Sequence, residues 1–453
     1  MKLFDSIIIG SGQAGTPLVF SLAAKGKKVA FIEKKQVGGT CLNVGCTPTK
    51  TYVASARRMW DLQHAGDMGV NFEGSFTANI NAIKKRKDDL IAKSVTGIRS
   101  GLSDNENITF IEGEAKFISN YQVEVNGEQL TAQQIFINVG GRAIIPEEYQ
   151  GMNVLTNENI LDLTELPEHL IIICGSYIGL EFGQMFRRFG SKITIIERGE
   201  NIISREDEEV SKTIQTFMEA DGVEFILNAT SIAPAYDSNT YTVTINNSQK
   251  IKGTHLLLAI GRLPNTDLLQ LQNTSLQTDQ RGFITVNDFC QTSVEGIFAL
   301  GDCNGKGAFT HTAYNDYQVV ENFLFGDGSR KISDRIMTYG LFVDPPLGRA
   351  GMTKKDALAK GIKLLEGKRE MSRIARAKEK GETYGFIQVL VNADTNKIIG
   401  ACVLGTGGDE IITSLLNIMS AGVDYTLIRD TMVLHPTISE LIPTTLENLK
   451  EIS

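Results

Sequence analysis

Cysteine, proline, histidine and tryptophan are all scarce in these 453 residues, at six, ten, five and one. Six cysteines in so long a chain do not make a disulfide scaffold, which is the mark of small secreted domains. Long apolar runs are missing too: the longest spans about five residues, against ~20 for a bilayer crossing. No secretory leader is visible, because Met1-Lys2-Leu3-Phe4-Asp5 puts an acid where an apolar core is needed. Basic residues do not predominate, and a net charge of −8 argues against nucleic acid or an acidic membrane surface as partner. These absences lead to the expectation of a cytoplasmic globular protein with neither membrane nor nucleic-acid partner. Any disulfide in it would serve chemistry rather than scaffolding. An apolar fraction of 42% and a charged fraction of 22% fit that class. The length allows about three domains.

The cysteines that are present draw attention to one stretch, Gly38-Gly39-Thr40-Cys41-Leu42-Asn43-Val44-Gly45-Cys46-Thr47-Pro48-Thr49-Lys50. Pro48 suits the start of a helix, so the second cysteine falls near a helix N-terminus, where the dipole favours the thiolate. Two thiols within reach form a couple that opens and closes by exchange, and Lys50 adds a cation nearby. Two unrelated core cysteines would be the plain alternative.

Upstream, Ser6-Ile7-Ile8-Ile9 reads as a buried parallel strand running into Gly10-Ser11-Gly12-Gln13-Ala14-Gly15. A small-residue helix to Ala24 follows, then the strand Lys28–Ile32 with Glu33 at its end. Strand, glycine turn, helix, strand and acid together are the dinucleotide fingerprint in its required context. Gly12 admits a pyrophosphate to the backbone, and Glu33 can accept from a ribose hydroxyl. The segment from Lys50 to about Ser100 reads as helical, with Lys84, Lys85, Arg86 and Lys87 forming a solvated face. The strand 135–139 ends at Gly140-Gly141-Arg142.

The opening is then repeated. His169–Ile173 is a strand, Leu180–Phe189 a helix, Ser191–Ile196 a strand, and Glu197 closes the unit. Cys174 and Ser176 stand where glycines are usual in the turn Cys174-Gly175-Ser176-Tyr177-Ile178-Gly179, so the match is degenerate outside its frame. Leu256–Arg262 closes this unit as Gly140-Gly141-Arg142 ended the first. Ile297–Asp302 is a buried strand ending in an acid, and a helix is expected from near Thr312-Ala313. From Met337 the texture changes to strands (385–392, 398–404) and helices (410–421, 426–431), ending in His435-Pro436-Thr437-Ile438-Ser439-Glu440.

These motifs in this order resemble the class I flavin disulfide reductases: dihydrolipoamide dehydrogenase, glutathione reductase, mercuric reductase and their relatives. The resemblance spans essentially the whole chain. It implies an α/β fold with two Rossmann-like domains, for FAD and NAD(P), plus a C-terminal α+β dimerisation domain. The expected limits are 1–145 and 266–336 for the FAD domain, 146–265 for the NAD(P) domain, and 337–453 for dimerisation. It further implies that electrons pass from NAD(P)H through FAD to a Cys41–Cys46 disulfide, then to a small oxidised substrate: a disulfide, hypothiocyanous acid or a metal ion. On this carry-over Cys46 meets the flavin as a thiolate and Cys41, expected to be the more exposed, attacks the substrate. Lys50 pairs with Glu181, and His435, oriented by Glu440, moves a proton in the partner subunit's site of a homodimer. The cofactor-binding set is Gly10, Gly12, Gly15, Glu33, Gly39, Thr40, Gly140, Asp302, Ala313, Gly175, Tyr177, Ile178, Gly179, Glu197 and Gly261. No metal site is expected.

Departures narrow the resemblance. The tail Leu446-Glu447-Asn448-Leu449-Lys450 lacks the cysteine pair of mercuric reductases, and His435 stands where they carry tyrosine. The stretches 342–349 and 310–317 are similar to a branch that includes reductases for reactive chlorine and hypothiocyanous acid. Glu197 favours NADH over NADPH, because a carboxylate accepts from a free 2′-hydroxyl and repels a 2′-phosphate. Two alternatives stay open: a dihydrolipoamide dehydrogenase, or a flavoprotein with an impaired nicotinamide site serving as a binding module. The remaining histidines (His64, His169, His255, His311) and cysteines (Cys174, Cys290, Cys303, Cys402) are read as structural, though Cys303, following Asp302, could tune the cofactor surface.

Overall fold

The architecture is that of a computed structural model, which describes residues 1–71 and 73–452. Its first sheet has five parallel strands in the order Ile297–Ala299, Gln134–Ile137, Ser6–Ile9, Val29–Glu33, Ile108–Glu112. The strand from 297 lies beside one from 134, so the unit built on the second parallel sheet is inserted into this one, whose core Leu269, Ile284 and Val294 rejoin. The central strand is aliphatic because both its faces are covered. Ile8 packs with Leu18, Val19, Phe31 and Val320 on the helical face, while Ile7 and Ile9 pack with Phe117, Val123 and Leu130 on the other. A small antiparallel sheet (Lys116–Ser119, Gln122–Val125, Glu128–Thr131) supplies that second layer.

The inserted unit repeats the plan. Its parallel strands run Val223–Ile226, Lys192–Ile196, His169–Ile173, His255–Leu258. Ile172 packs with Leu180, Phe186 and Ile214 towards helices, and Ile171 and Ile173 pack with Tyr241, Val243 and Ile245 of the antiparallel hairpins 232–253. The two chain crossings between the units pair with each other, Gly141–Ala143 against Arg262–Pro264. The C-terminal part is a six-stranded sheet with helix Gly408–Ala421 packed against three of its strands.

Six helices shape the functional region: α1 (Gly15–Ala24), α2 (Gly39–Asn43), α3 (Cys46–Gln63), α4 (Ile80–Ser103), α5 (Tyr177–Phe189) and α6 (Thr310–Phe325). Pro48 sits in the first turn of α3, where a missing N–H breaks no intrahelical bond. Asn79 caps α4 by accepting from Ala82 N at 3.1 Å. α6 begins at Thr310, earlier than expected, because the Thr312 hydroxyl accepts from Phe309 N at 3.1 Å and so closes the first turn.

The basic run on α4 is not a uniformly solvated face. Lys84 and Lys85 pair with Asp88 and Asp89 one turn on, but Lys87 is buried. Its ammonium donates to Leu161 O at 3.2 Å and to Asp162 Oδ1 at 2.8 Å, tying α4 to the segment entering the inserted unit. The period of the helix turns that one lysine inward, which its charge alone does not reveal. No helix of the described residues is long and apolar enough to cross a membrane.

Candidate active site

A single cleft of about 660 Å³ runs from the first glycine turn, past both cysteines of the Gly38–Lys50 stretch, to the start of α5. Gly10, Gly12, Glu33, Gly39, Thr40, Cys41, Cys46, Lys50, Gly140, Tyr177, Ile178, Glu181, Asp302 and Ala313 all line it.

At one end, Gly10 has φ +101°, and a Cβ there would stand 2.2 Å from Asn138 O. Gly15 is outside the cleft lining and has a packing role: its Cβ would strike Gly10 O, so helix and turn close tightly. Glu33 accepts from Ser11 N (2.9 Å), Ser11 Oγ (2.7 Å) and Lys35 N (2.8 Å), which anchors the carboxylate at the strand end. Asn138 was not anticipated from the sequence. Its Oδ1 accepts from Gly15 N at 2.9 Å and its Nδ2 donates to Leu300 O at 2.8 Å, fixing the glycine turn to the strand that leads to Asp302.

The middle of the cleft holds the dithiol. Both thiols are free. Cys46 is the first residue of α3 and Cys41 lies on α2, and both line the cleft. The Cys46 thiol is pulled down to about 6, foremost by a hydrogen bond with Cys41, then against burial by Thr310 and Lys50. Cys41 is pushed up by that same bond and by burial. The bond between the two thiols thus favours the anion on Cys46 over Cys41. Thr310 Oγ1 lies 3.2 Å from Cys46 Sγ.

Beside it Lys50 Nζ donates to both oxygens of Glu181, at 3.0 and 2.8 Å. Glu181 also accepts from Phe342 N at 3.0 Å, and the Phe342 ring lies 4.4 Å from the Lys50 ammonium. Phe342, Thr310 and His311 line the cleft and were not singled out for the site, although they fall in the two stretches similar to the reactive-chlorine branch. His311 donates from Nε2 to Thr338 O at 2.7 Å, and burial lowers its pKa.

At the other end the second turn repeats four contacts of the first. Cys174 N donates to Ile196 O at 2.8 Å, as Gly10 N does to Ile32 O. Gly175 N and Gly199 N donate to Glu197 at 2.7 and 2.9 Å. A Cβ on Gly179 would stand 2.2 Å from Cys174 O, the relation of Gly15 to Gly10. Cys174 even adopts φ +87°, the left-handed backbone its glycine counterpart takes freely. Gly175, Gly179, Glu197 and Gly261 lie outside the cleft lining, while Tyr177 and Ile178 reach into it.

Asp302 sits 3.5 Å from Arg262 Nε, and burial raises its carboxyl. Cys303 turns away into the core, its thiol donating to Ile137 O and Leu300 O at 3.4 and 3.2 Å, so it does not face the cleft. His435 is remote from the cleft lining and 77% exposed; its Nδ1 donates to Glu440 Oε2 at 2.9 Å, which also accepts from Thr437 N. No group of three or more potential metal-binding side chains occurs among the described residues.

Two dinucleotide turns flanking a dithiol, with an ion pair between them, define an oxidoreductase that moves electrons between a bound cofactor pair and a thiol couple. The chain belongs to the pyridine nucleotide-disulphide oxidoreductases: that family's model matches residues 4–316, and the model of its dimerisation domain matches 337–446. It is 34% identical to the probable pyridine nucleotide-disulfide oxidoreductase RclA of Escherichia coli, over 97% of this chain and 98% of that protein. It is 30% identical to the dihydrolipoyl dehydrogenase of Mycoplasma pneumoniae, over 97% of both chains. Among solved structures, the HOCl-induced flavoprotein disulfide reductase RclA of E. coli and its Cu(II) complex each superpose with a TM-score of 0.89 at 32% identity. They cover 97% and 99% of this chain, and 98% and 99% of their own. The protein is therefore an NAD(P)H-dependent flavoprotein disulfide-type oxidoreductase, and its cofactors are FAD and a pyridine nucleotide.

The residues present fit FAD. A Cβ at Gly12 would lie 2.8 Å from Asn138 Oδ1 and one at Gly39 2.8 Å from Gly12 Cα, so only glycines let these segments close together beside the α1 N-terminus. Asp302, raised by burial, gains from a hydroxyl donor such as a polyol.

Proposed function

We propose that this enzyme carries two electrons from NADH to the Cys41–Cys46 pair and on to a small oxidant, in the hypothiocyanous acid or metal-ion class. The observation that carries the reading is the Cys41–Cys46 pair in the cleft beside the Lys50–Glu181 ion pair, with Cys46 the thiol whose anion is favoured. FAD, when bound, supplies the two-electron relay between nicotinamide and dithiol. Gly10, Gly12, Gly39, Thr40 and Asp302 would hold it, and Ala313 in the first turn of α6 would face its ring with a positive dipole end. Lys50 keeps a cation at the junction of the two nucleotide sites, and Glu181 keeps that cation from standing alone in a partly buried place. With hypothiocyanous acid, the Cys41 sulfur attacks the oxidant's sulfur and hydroxide leaves as water. Cys46 then attacks the Cys41 sulfur, thiocyanate leaves and the disulfide re-forms, whereas a metal-ion oxidant takes the same two electrons one per ion.

The intact geometry of the second turn supports nucleotide binding there despite Cys174 and Ser176, and Glu197 supports NADH. The pairing of Gly141–Ala143 with Arg262–Pro264 supports domain limits near 145 and 265. The dimerisation domain supports a homodimer. So does the exposed apolar run Met432 (95%), Val433 and Leu434 (77%) next to His435, a patch that a second copy would cover. In that dimer His435, held by Glu440, serves the dithiol of the other copy. A cytoplasmic setting agrees with a free, reducible thiol pair. The E. coli relative is HOCl-induced and has a Cu(II) complex, which supports a small oxidant; the dihydrolipoyl dehydrogenase relatives support lipoamide as the rival.

Steady-state turnover decides among them, with NADH and NADPH each tested against hypothiocyanous acid, Cu(II), Hg(II), glutathione disulfide and lipoamide. The expected result is the highest kcat/KM for NADH with hypothiocyanous acid or Cu(II). A dominant lipoamide activity overturns the substrate reading, and a dominant NADPH activity overturns the nucleotide reading.

A further inference from the structure

Two helices begin at one sulfur. Cys46 is the first residue of α3, 18 residues long, and Thr310 is the first residue of α6, 16 residues long, with its hydroxyl 3.2 Å from Cys46 Sγ. The positive ends of both dipoles therefore fall on the same atom. The Thr310 hydroxyl bonds to sulfur, unlike that of Thr312 two residues on, which donates to a backbone carbonyl.

Charges around Cys46 come from every neighbouring element. Lys50 on α3 favours the anion and Glu181 on α5 opposes it; because they are bonded to each other at 2.8 Å, their effects largely offset. Cys41 on α2 shares the proton. His311 on α6 is directed at Thr338 O, and Phe342 brings a ring without charge. The Thr310 hydroxyl is then the donor at this sulfur that no neighbouring acid cancels. It also bears on the Cys41 sulfur, so it stands where it can favour either one.

We propose that Thr310 selects Cys46 over Cys41 as the anionic sulfur of the reduced dithiol by donating its hydroxyl proton to Cys46. Cys41 is thereby left as the thiol that meets the substrate. The proposal rests on the reading of Cys41 and Cys46 as the redox pair. It adds a residue whose role is to set charge, and it explains why the paired cysteines behave differently although a single proton separates them.

The test uses FAD-loaded enzyme reduced anaerobically with one equivalent of NADH. The long-wavelength absorbance that a thiolate gives against flavin is titrated with pH in wild type, Thr310→Val and Thr310→Ser. Valine keeps the shape and removes the donor; serine keeps the donor. The valine variant should raise the midpoint by about one to two pH units, the worth of a hydrogen bond to a charged group. Serine should stay within about 0.3 units of wild type. Thr310→Ala replaces the valine variant if valine lowers FAD content. A midpoint unchanged in Thr310→Val, or shifted equally in Thr310→Ser, overturns the role of the hydroxyl. If Cys46→Ser retains the band, the redox-pair reading itself falls, and the two failures are told apart.

Discussion

A thiol titrates near pH 9 unless its surroundings favour the anion, and Cys46 is held down to about 6. The sign follows directly: a lowered pKa means the anion persists below its ordinary range. In reduced enzyme the thiolate-to-flavin absorbance should survive to mildly acidic pH and vanish as pH falls through about 6, rather than through about 9. Absorbance titration checks this, with Cys46→Ser as the control that lacks the band at every pH. Cys174 makes a different point at the same scale. Its φ of +87° is one that a side chain adopts at a cost of ~1–3 kcal/mol. Cys174→Gly should therefore raise the apparent Tm by about 1–3 °C at saturating FAD. A lower Tm in thermal denaturation would show that the thiol packs more favourably than the backbone strain costs.

At the scale of elements, the catalytic residues sit at helix starts while the far ends of the same helices are tied together. Arg57 on α3 donates to Asp344 at 2.8 Å; Arg188 on α5 bonds to the same carboxylate and, at 2.9 Å, to Asp221. Asp344 N in turn donates to Gln184 of α5 at 2.7 Å. The segment carrying Phe342 over Lys50 thus also clamps the two helices that present Cys46 and Glu181. Asp344→Ala leaves the Arg188 guanidinium, only 5% exposed, with one acid instead of two. It should cost about 2–3 kcal/mol of stability. It should also slow reduction by NADH on the order of tenfold at unchanged FAD content, because alignment between the nucleotide sites loosens. Stopped-flow reduction and Tm read the two effects; a loss of stability with an unchanged rate would confine the clamp to folding.

The whole molecule places His435 and Glu440 in a C-terminal part built on its own sheet, away from the cleft that holds the dithiol. In a two-fold dimer one patch is repeated on both subunits, so both sites are completed together. Cys41→Ser and His435→Ala parents, each inactive, should regain activity when their subunits exchange. In an equal random mix about half the dimers are hybrids with one intact site, so activity should approach roughly a quarter of wild type. If exchange is demonstrated by tagged subunits and activity stays at parental level, His435 does not act across the interface.

What the amino-acid order determined by itself is local or repeated. Aliphatic runs such as Ile7–Ile9 and Leu170–Ile173 specify buried strands, and an acid at the end of each second strand is bound by the turn 22 positions earlier. The helix start at Cys46 follows from Gly45 and Pro48. These features rest on backbone preference and spacing, which a linear sequence carries. Tertiary structure alone decided that Lys87 turns inward and that Asn138, Thr310 and Phe342 join the site. Thr310 meets Cys46 across 264 positions, and Phe342 meets Glu181 across 161. Contacts of that kind depend on how sheets and helices stack, and a hydroxyl or a ring shows nothing of its partner until the core has brought the two together.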